Sequence, residues 1–422
     1  MFGLVDGNNF FVSCQRVFRP DLNGRPVIVL SNNDGCAIAR SNEAKALGIR
    51  MGDPAFKIRD IIRKYDVVVF SSAYSLYGDM SARMMMMFQS YVPEIEIYSI
   101  DEAFLNFSGM EHFNLKEYGS LIVQETTRGT GIPVSLGIAP TKTLAKVANR
   151  FAKKIKEYKG LCIIDSEEKR IKALQMTEIS DVWGIGRRYS IRLNKIGVKT
   201  ALDFVCLPRA WVRKNMTVVG EKTWCELRGE PCIDMELIQT DKKQICTSRS
   251  FGKLAENLDD ISEAVASHAA SCARKLRDQK SVAVSLMVFI HTNNFRPDLP
   301  QYFKNIVIEL PVPTNSSIEI VHYALIGLKR IFASGYRYKK AGVIITEITK
   351  ESAVQGNLFD SLDRTKHRKL MEAADKVTDR YGKQYLKLGS QGSGNNKVIN
   401  MNQNLLSPSF SSRISDIITV KV

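Results

Sequence analysis

The sequence predicts a multidomain α+β protein. At 422 residues the chain exceeds one ordinary hydrophobic core and, at roughly 100 to 150 residues per domain, makes three or four. Short β-type apolar runs are interspersed with helical patterns, and loop signals such as NNDG and SQGSGNNK punctuate them. The sequence contains no internal repeat.

The opening FGLVD fits a buried strand and delivers Asp6 at its C-terminal end, where carboxylates are well placed for chemistry. GNNFFVSCQRVF reads as a turn entering a helix, and PVIVLSN as a second β-rich run closed by NNDG. Residues 41–48, SNEAKALG, form a short helix between a serine N-cap and a glycine stop. The segment IEIYSIDEAFLNFSG carries two β-type runs, 95–100 and 103–107, interrupted by Asp101 and Glu102. Farther on, VWGIGRRYSIRLNKIGVKTALDF at 182–204 reads as a turn, a basic helix, a glycine stop and another helix. Residues 240–348 combine β-type runs such as SVAVSLMVFIHT and KNIVIELPVP with helical patterns at 260–278 and 317–333. TKHRKLMEAADKVTDRYG suggests one amphipathic helix, SQGSGNNK a flexible linker, and the ending NLLSPSFSSRISDI a mobile, partly apolar segment.

The apolar fraction of 44% and charged fraction of 25% are those of a soluble globular protein. Lys and Arg number 60 against 44 Asp and Glu, a net charge of +16 that points to a polyanionic partner. Residues 141–200 hold fifteen Lys or Arg and six Asp or Glu, which reads as an electrostatic footprint. Eight cysteines form no C-x-x-C pair and five histidines lie far apart, so neither a zinc site nor a disulfide framework is indicated. MFGLVDGNNF lacks the features of a signal peptide, and no apolar run approaches 18 residues; the expectation is a reducing cytoplasm and no membrane partner.

An isolated Asp-Glu pair between strands is commonly a turn former. If the 95–107 unit lies beside the first strand in one sheet, however, Asp6, Asp101 and Glu102 converge on one edge, which is costly unless cations neutralise them. Mg²⁺ prefers such hard oxygen ligands and keeps positions for water and substrate phosphates.

Two motifs carry a resemblance to a known family. D-x-N-x-F-[aromatic]-x-S-C at Asp6–Cys14 and Y-S-I-D-E-A-F at 98–104 resemble the palm of Y-family DNA polymerases, and LSNNDGCAIARSNEAKALGIRMGDP at 30–54 resembles the UmuC-type catalytic subunits of bacterial DNA polymerase V. The similarity runs through nearly the whole chain. It implies a right-hand polymerase: a ferredoxin-like palm over 1–165 with small fingers inserted at about 20–75, a helix-hairpin-helix thumb over 166–235, an α/β little finger over 240–348, and a tail over 349–422 with clamp- and partner-binding segments. The implied activity is error-prone, template-directed DNA synthesis past lesions in the SOS response, by two-metal phosphoryl transfer using two Mg²⁺ ions.

By position, Asp6 and Asp101 would bridge both metals, Glu102 would help hold the one that activates the primer 3′-hydroxyl, and the carbonyl of Gly7 would complete a ligand set. Phe11 falls where the family places its steric gate against the sugar 2′ position; Phe10 joins the nucleotide-binding set, although an ordinary core position accounts for it as well. Where many members grip the triphosphate with a Tyr and an Arg, this chain has Asn42 and Lys45, a departure shared with the UmuC type; Lys45 supplies charge without a bidentate fork. Lys153 matches a second triphosphate lysine, with Lys154 beside it, and Ile38 would lie over the nascent base pair.

The G-I-G element offers free N–H groups at a helix N-terminus, so Gly184, Gly186, Arg187 and Arg188, followed by Arg192 and Lys195, would hold duplex phosphates. Arg249, Arg337, Lys339 and Lys340 are further phosphate candidates. QGNLFD resembles a sliding-clamp peptide, with Gln355 as polar contact and Leu358 and Phe359 as anchors. Processed UmuD-type dimers and RecA are partners implied by the resemblance alone. Two alternatives, a nucleotidyl cyclase and an inactive DNA-binding protein, leave the GIG element and QGNLF or the acidic triad unexplained.

Overall fold

The computed structural model describes all residues except 239, 359, 361, 383–384, 393–399, 412 and 419–422. It divides into two compact units, 1–239 with 404–422 and 240–403. The first contains β1 (Phe2–Gly7), β2 (Val27–Leu30), β3 (Ala37–Arg40), β4 (Val68–Ser71), β5 (Glu94–Ile97), β6 (Glu102–Asn106), β7 (Val134–Ala139) and β8 (Leu161–Ile163). Five of these form one sheet in the order β5-β6-β1-β7-β8, the ferredoxin-like arrangement expected of a palm; a separate small sheet runs β3-β2-β4. The β-type run expected over 95–100 stops at Ile97, because Ser99 turns the chain there and Glu102 already belongs to the next strand.

The palm sheet is covered on one face by the helix Lys142–Lys154. Close approach is possible because Gly137 of β7 has no side chain; a Cβ there would lie 2.1 Å from the backbone nitrogen of Asn149. Asn149, buried, then donates to the carbonyls of Leu4 and Ser135 at 3.0 and 2.7 Å and ties the helix to two strands. This helix belongs to the basic 141–200 stretch, yet four of its cations face acids of the same unit: Lys142–Glu96, Lys146–Glu102, Arg150–Asp181 and Lys153–Asp6. Part of the positive surplus is therefore consumed internally.

In the segment expected to form the thumb the basic helix is Arg187–Lys195, followed by Gly197 in the left-handed region at φ 86° and the helix Ala201–Val205. The short finger helix, Asn42–Ala46, is capped by Ser41, whose hydroxyl accepts from the Ala44 amide.

The second unit contains β9 (Ile245–Ala255), β10 (Ser281–Thr292), β11 (Phe303–Thr314) and β12 (Tyr338–Lys350) in the order β11-β10-β12-β9, all neighbours antiparallel. Helices Leu258–Asp278 and Ser317–Ile331 share a core with this sheet. The amphipathic helix, Arg364–Tyr381, belongs to this unit: Asp375 binds Arg277 through two bonds of 2.7 Å, and Arg364 reaches Glu319 at 2.7 Å. The described residues of 349–418 are thus shared between the two units, with 404–411 and 413–418 in the first.

His268 is buried on the helix Leu258–Asp278, and its Nε2 has no hydrogen-bond partner among the described residues. Burial, reinforced by Arg249, Lys340 and Lys275, pushes its pKa down to about 4. A depressed folded-state pKa means stability that is present above the ordinary histidine range and lost as pH falls from about 6.5 toward 4, here about 3 kcal/mol. Urea unfolding of this unit, wild type against His268→Leu, should show that pH-dependent loss only in the wild type; parallel pH profiles would refute it.

Candidate active site

Strand pairing brings the acidic residues together. In the antiparallel β1–β6 ladder Asp6 stands opposite Glu102, and the Gly7 amide donates to the Asp101 carbonyl at 2.9 Å. Ser99 shapes the hairpin: its hydroxyl donates to Asp101 Oδ1 at 2.7 Å and accepts from the amides of Asp101 and Glu102 at 3.2 and 3.1 Å.

Asp6 is buried at the sheet edge, and burial, with the charges of Asp101 and Glu102, raises its pKa to about 7 against the opposing pull of Lys153. Burial and the Glu102 charge also raise Asp101. Each carboxylate has taken a different neighbour: Lys153 Nζ lies 2.5 Å from Asp6 Oδ1, Lys146 Nζ lies 3.2 Å from Glu102, and Asp101 holds Ser99. Among the described residues no three His, Cys, Asp or Glu side chains are gathered in metal-binding geometry. Like charges that would repel at closer range are held apart on their separate partners, so the donor set fits divalent cations in chemistry and needs those partners to yield.

Beside the carboxylates lies a cavity of about 760 Å³, lined by Asp6, Gly7, Asp101, Phe10, Phe11, Ile38, Asn42, Lys45, Lys153 and Lys154. The metal-edge and nucleotide residues singled out in the sequence thus share one cavity, except Glu102, which sits on the adjoining strand and is not among its lining residues. Its size suits a nucleoside triphosphate. Phe10 points into the core, 3% exposed, whereas Phe11 is half-buried and stacks on Tyr77 with centroids 4.3 Å apart and planes at 11°. Of the adjacent lysines, Lys153 is the one bonded to Asp6.

Among the lining residues that escaped the sequence reading are Asn9, Arg40 and Arg150. Asn9 caps the helix Phe10–Phe18 with left-handed backbone at φ 50°, accepts from Lys45 Nζ at 2.6 Å and donates to Asn42 at 3.1 Å, so it joins the finger helix to the palm. The N-N pair before the first helix was its only signal. Arg40 adds positive charge to the wall, Arg150 stands there paired with Asp181, and nothing local in the sequence sets either apart from other arginines.

Away from this cavity, Gly184 has φ 89° and lies against Thr223, while Gly186 opens the basic helix with no atom within 4 Å of where a Cβ would be. Arg187 and Arg188 are exposed; Arg192 is bonded to the Asn215 carbonyl at 3.1 Å. In the second unit Arg249 is exposed on β9, Lys340 lies over the Phe289 ring, Lys339 donates to the Phe251 carbonyl at 2.8 Å, and Arg337 pairs with Glu256 at 2.9 Å. Gln355 and Leu358 are exposed, Leu358 fully; Phe359 lies outside the described residues.

Residues 5–150 match the impB/mucB/samB family, and residues 242–358 match the C-terminal domain of that family. Over its full length the chain is 42% identical to Protein UmuC of Salmonella typhimurium, with both chains covered completely. The chain belongs to the impB/mucB/samB family. Protein ImpB of Salmonella typhimurium is 40% identical over 99% of each chain. Among solved structures, a Y-family DNA polymerase chimera matches with a TM-score of 0.66 at 19% identity, over 83% of this chain and all of the other. Residues 368–420 match a domain of unknown function. This member of the impB/mucB/samB family is an error-prone DNA polymerase of the translesion kind, with the Y-family fold. Among the described residues no helix is long and apolar enough to cross a membrane.

Proposed function

We propose that nucleotide addition occurs in the cavity beside β1 and β6, with Asp6, Asp101, Glu102 and the Gly7 carbonyl as ligands of two Mg²⁺ ions. The observation that carries this reading is one cavity shared by the buried Asp6, the half-buried Asp101, lysines and Phe11. When bound, the ions lower the pKa of the primer 3′-hydroxyl and offset charge on the leaving pyrophosphate.

This chain's own residues do the rest. Lys45 and Lys153, with Lys154 beside it, neutralise the triphosphate, while Asn9 and Asn42 hold the Lys45 ammonium toward it. Phe11 closes the space next to the sugar C2′, and Ile38 covers the base from a small finger sheet that checks pair geometry loosely. With divalent ions held by Asp6, Lys153 would give up its pair with that carboxylate and would be free to neutralise the triphosphate instead. The amides after Gly186 with Arg187 and Arg188, and Arg249 separately, hold DNA phosphates without reading sequence. Palm with inserted fingers over 1–165, thumb over 166–235 and little finger over 240–348 remain the proposed division of labour. UmuD-type and RecA partners and a bacterial cytoplasmic location rest on kinship alone.

Gln355, Leu358 and Phe359 are proposed as the sliding-clamp peptide, supported by the full exposure of Leu358. Two apolar anchors contribute about 1.5 to 3 kcal/mol each on burial in a partner pocket. Primer extension tests both readings. The wild type should extend a primed oligonucleotide only with Mg²⁺ and be stimulated by a loaded clamp. Leu358→Ala with Phe359→Ala should extend equally well and lose the stimulation. Extension without divalent metal would overturn the metal edge, and a destabilised double variant that still binds clamp would make these residues a packing plug.

A further inference from the structure

The segment 404–411 is expected from its composition to be mobile, but it is seated on the finger sheet and the first palm helix. The Ser71 amide at the end of β4 donates to the Leu405 carbonyl at 2.9 Å, and the Leu405 amide donates back to Ser71 Oγ at 3.0 Å. The Asn404 amide reaches Asp34 at 3.1 Å, and Asp34 also accepts from Ser71 Oγ at 2.6 Å. Phe410 stacks on Phe18 with centroids 5.0 Å apart and planes at 11°. Between these two anchors Ser407 Oγ accepts from Gln15 Nε2 at 2.9 Å.

Gln15 is wholly buried, and the same nitrogen donates to the Tyr77 hydroxyl at 3.1 Å. Its Oε1 has no hydrogen-bond partner among the described residues, so the amide is held only through its nitrogen. Tyr77, also wholly buried, is the ring on which Phe11 stacks. A continuous chain of contacts therefore runs from the tail to the aromatic wall of the nucleotide cavity: Ser407, Gln15, Tyr77, Phe11.

We propose that residues 404–410 are an internal brace of the nucleotide site, and that Ser407, Gln15 and Tyr77 are positioning residues that set the Phe11 ring for sugar selection. The proposal rests on reading Phe11 as the sugar gate. It gives a role to part of the region matched by a domain of unknown function. A stacked ring that is free to tilt excludes a 2′-hydroxyl less sharply than one whose support is hydrogen-bonded at its far end.

The test is single-nucleotide insertion of matched deoxy- and ribonucleotides by the full chain. Ser407 is half-buried at the surface, so Ser407→Ala should fold. Loss of one hydrogen bond in the chain should raise the ribo-to-deoxyribonucleotide ratio about three- to tenfold. Gln15→Leu should do the same, Ser407→Thr should restore the wild-type ratio, and adding Ser407→Ala to Phe11→Ala should change it no further. A purely structural tail would slow both sugars equally. An unchanged ratio in Ser407→Ala and Gln15→Leu, with Phe11→Ala raising it, overturns the brace and leaves the gate intact. An unchanged ratio in Phe11→Ala itself overturns the gate, and the brace with it.

Discussion

Asp101→Asn should lower kcat for nucleotide addition by about a thousandfold or more while primed DNA still binds. The substitution keeps the side-chain shape and the bond from Ser99 to Oδ1, so the hairpin that presents Glu102 remains. What is lost is one negative charge at an edge where burial and Glu102 already work against that charge. The variant should therefore unfold at the same temperature as the wild type or a higher one, since Asn removes a like-charge repulsion. Gly184, Gly186 and the arginines after them, proposed to hold DNA phosphates, lie elsewhere in the first unit and are untouched by the substitution. Single-turnover extension, a DNA-binding titration and thermal unfolding check the three statements together. Normal turnover by the purified variant would remove Asp101 from the chemistry.

Phe11→Ala should lower discrimination against ribonucleotides by about a hundredfold, because forcing a hydroxyl into a filled space costs on the order of 1 to 3 kcal/mol. Phe11 is poised for this: half-buried, backed by Tyr77 at 4.3 Å and met edge-on by Tyr74 at 6.2 Å, it cannot easily swing aside. Removing a half-buried ring should also cost stability, about 2 kcal/mol, less than for a fully buried phenylalanine. Phe10 serves as the contrast. At 3% exposure its truncation should destabilise the palm more and alter sugar choice less. Insertion ratios for the two variants, measured side by side, decide which ring faces the substrate; equal effects on the ratio would return Phe11 to the core.

Much of this polymerase was legible in its sequence because the relevant signals are local. A short apolar run ending in Asp6, a serine cap with a glycine stop around the finger helix, and β-type apolar runs at 281–292 and 303–314 depend only on backbone preference and on which side chains can be buried. The two motifs around Asp6 and Asp101 supplied the chemistry, since three carboxylates on paired strands have few uses without cations.

Other features depend on which distant residues the fold brings together. The basic stretch 141–200 read as surface charge, yet Lys142, Lys146, Arg150 and Lys153 recur every three or four residues on one helix and meet Glu96, Glu102, Asp181 and Asp6. Composition records the number of charges and is blind to their partners. Asn9 looked like turn chemistry until the finger helix placed Lys45 within 2.6 Å of it. The ending NLLSPSF reads as a mobile, partly apolar tail, but backbone bonds to Ser71 and the Phe18–Phe410 stack hold it on the first unit. The elements, the acidic residues and the kind of reaction could be read from short motifs, because the residues of each motif are adjacent in the chain. Tertiary contacts settled which cations stay available to substrate, which of the two phenylalanines is buried and which half-exposed against Tyr77, and where the tail lies, because hydrogen bonds and ion pairs between residues far apart in the chain leave no periodic trace in the sequence.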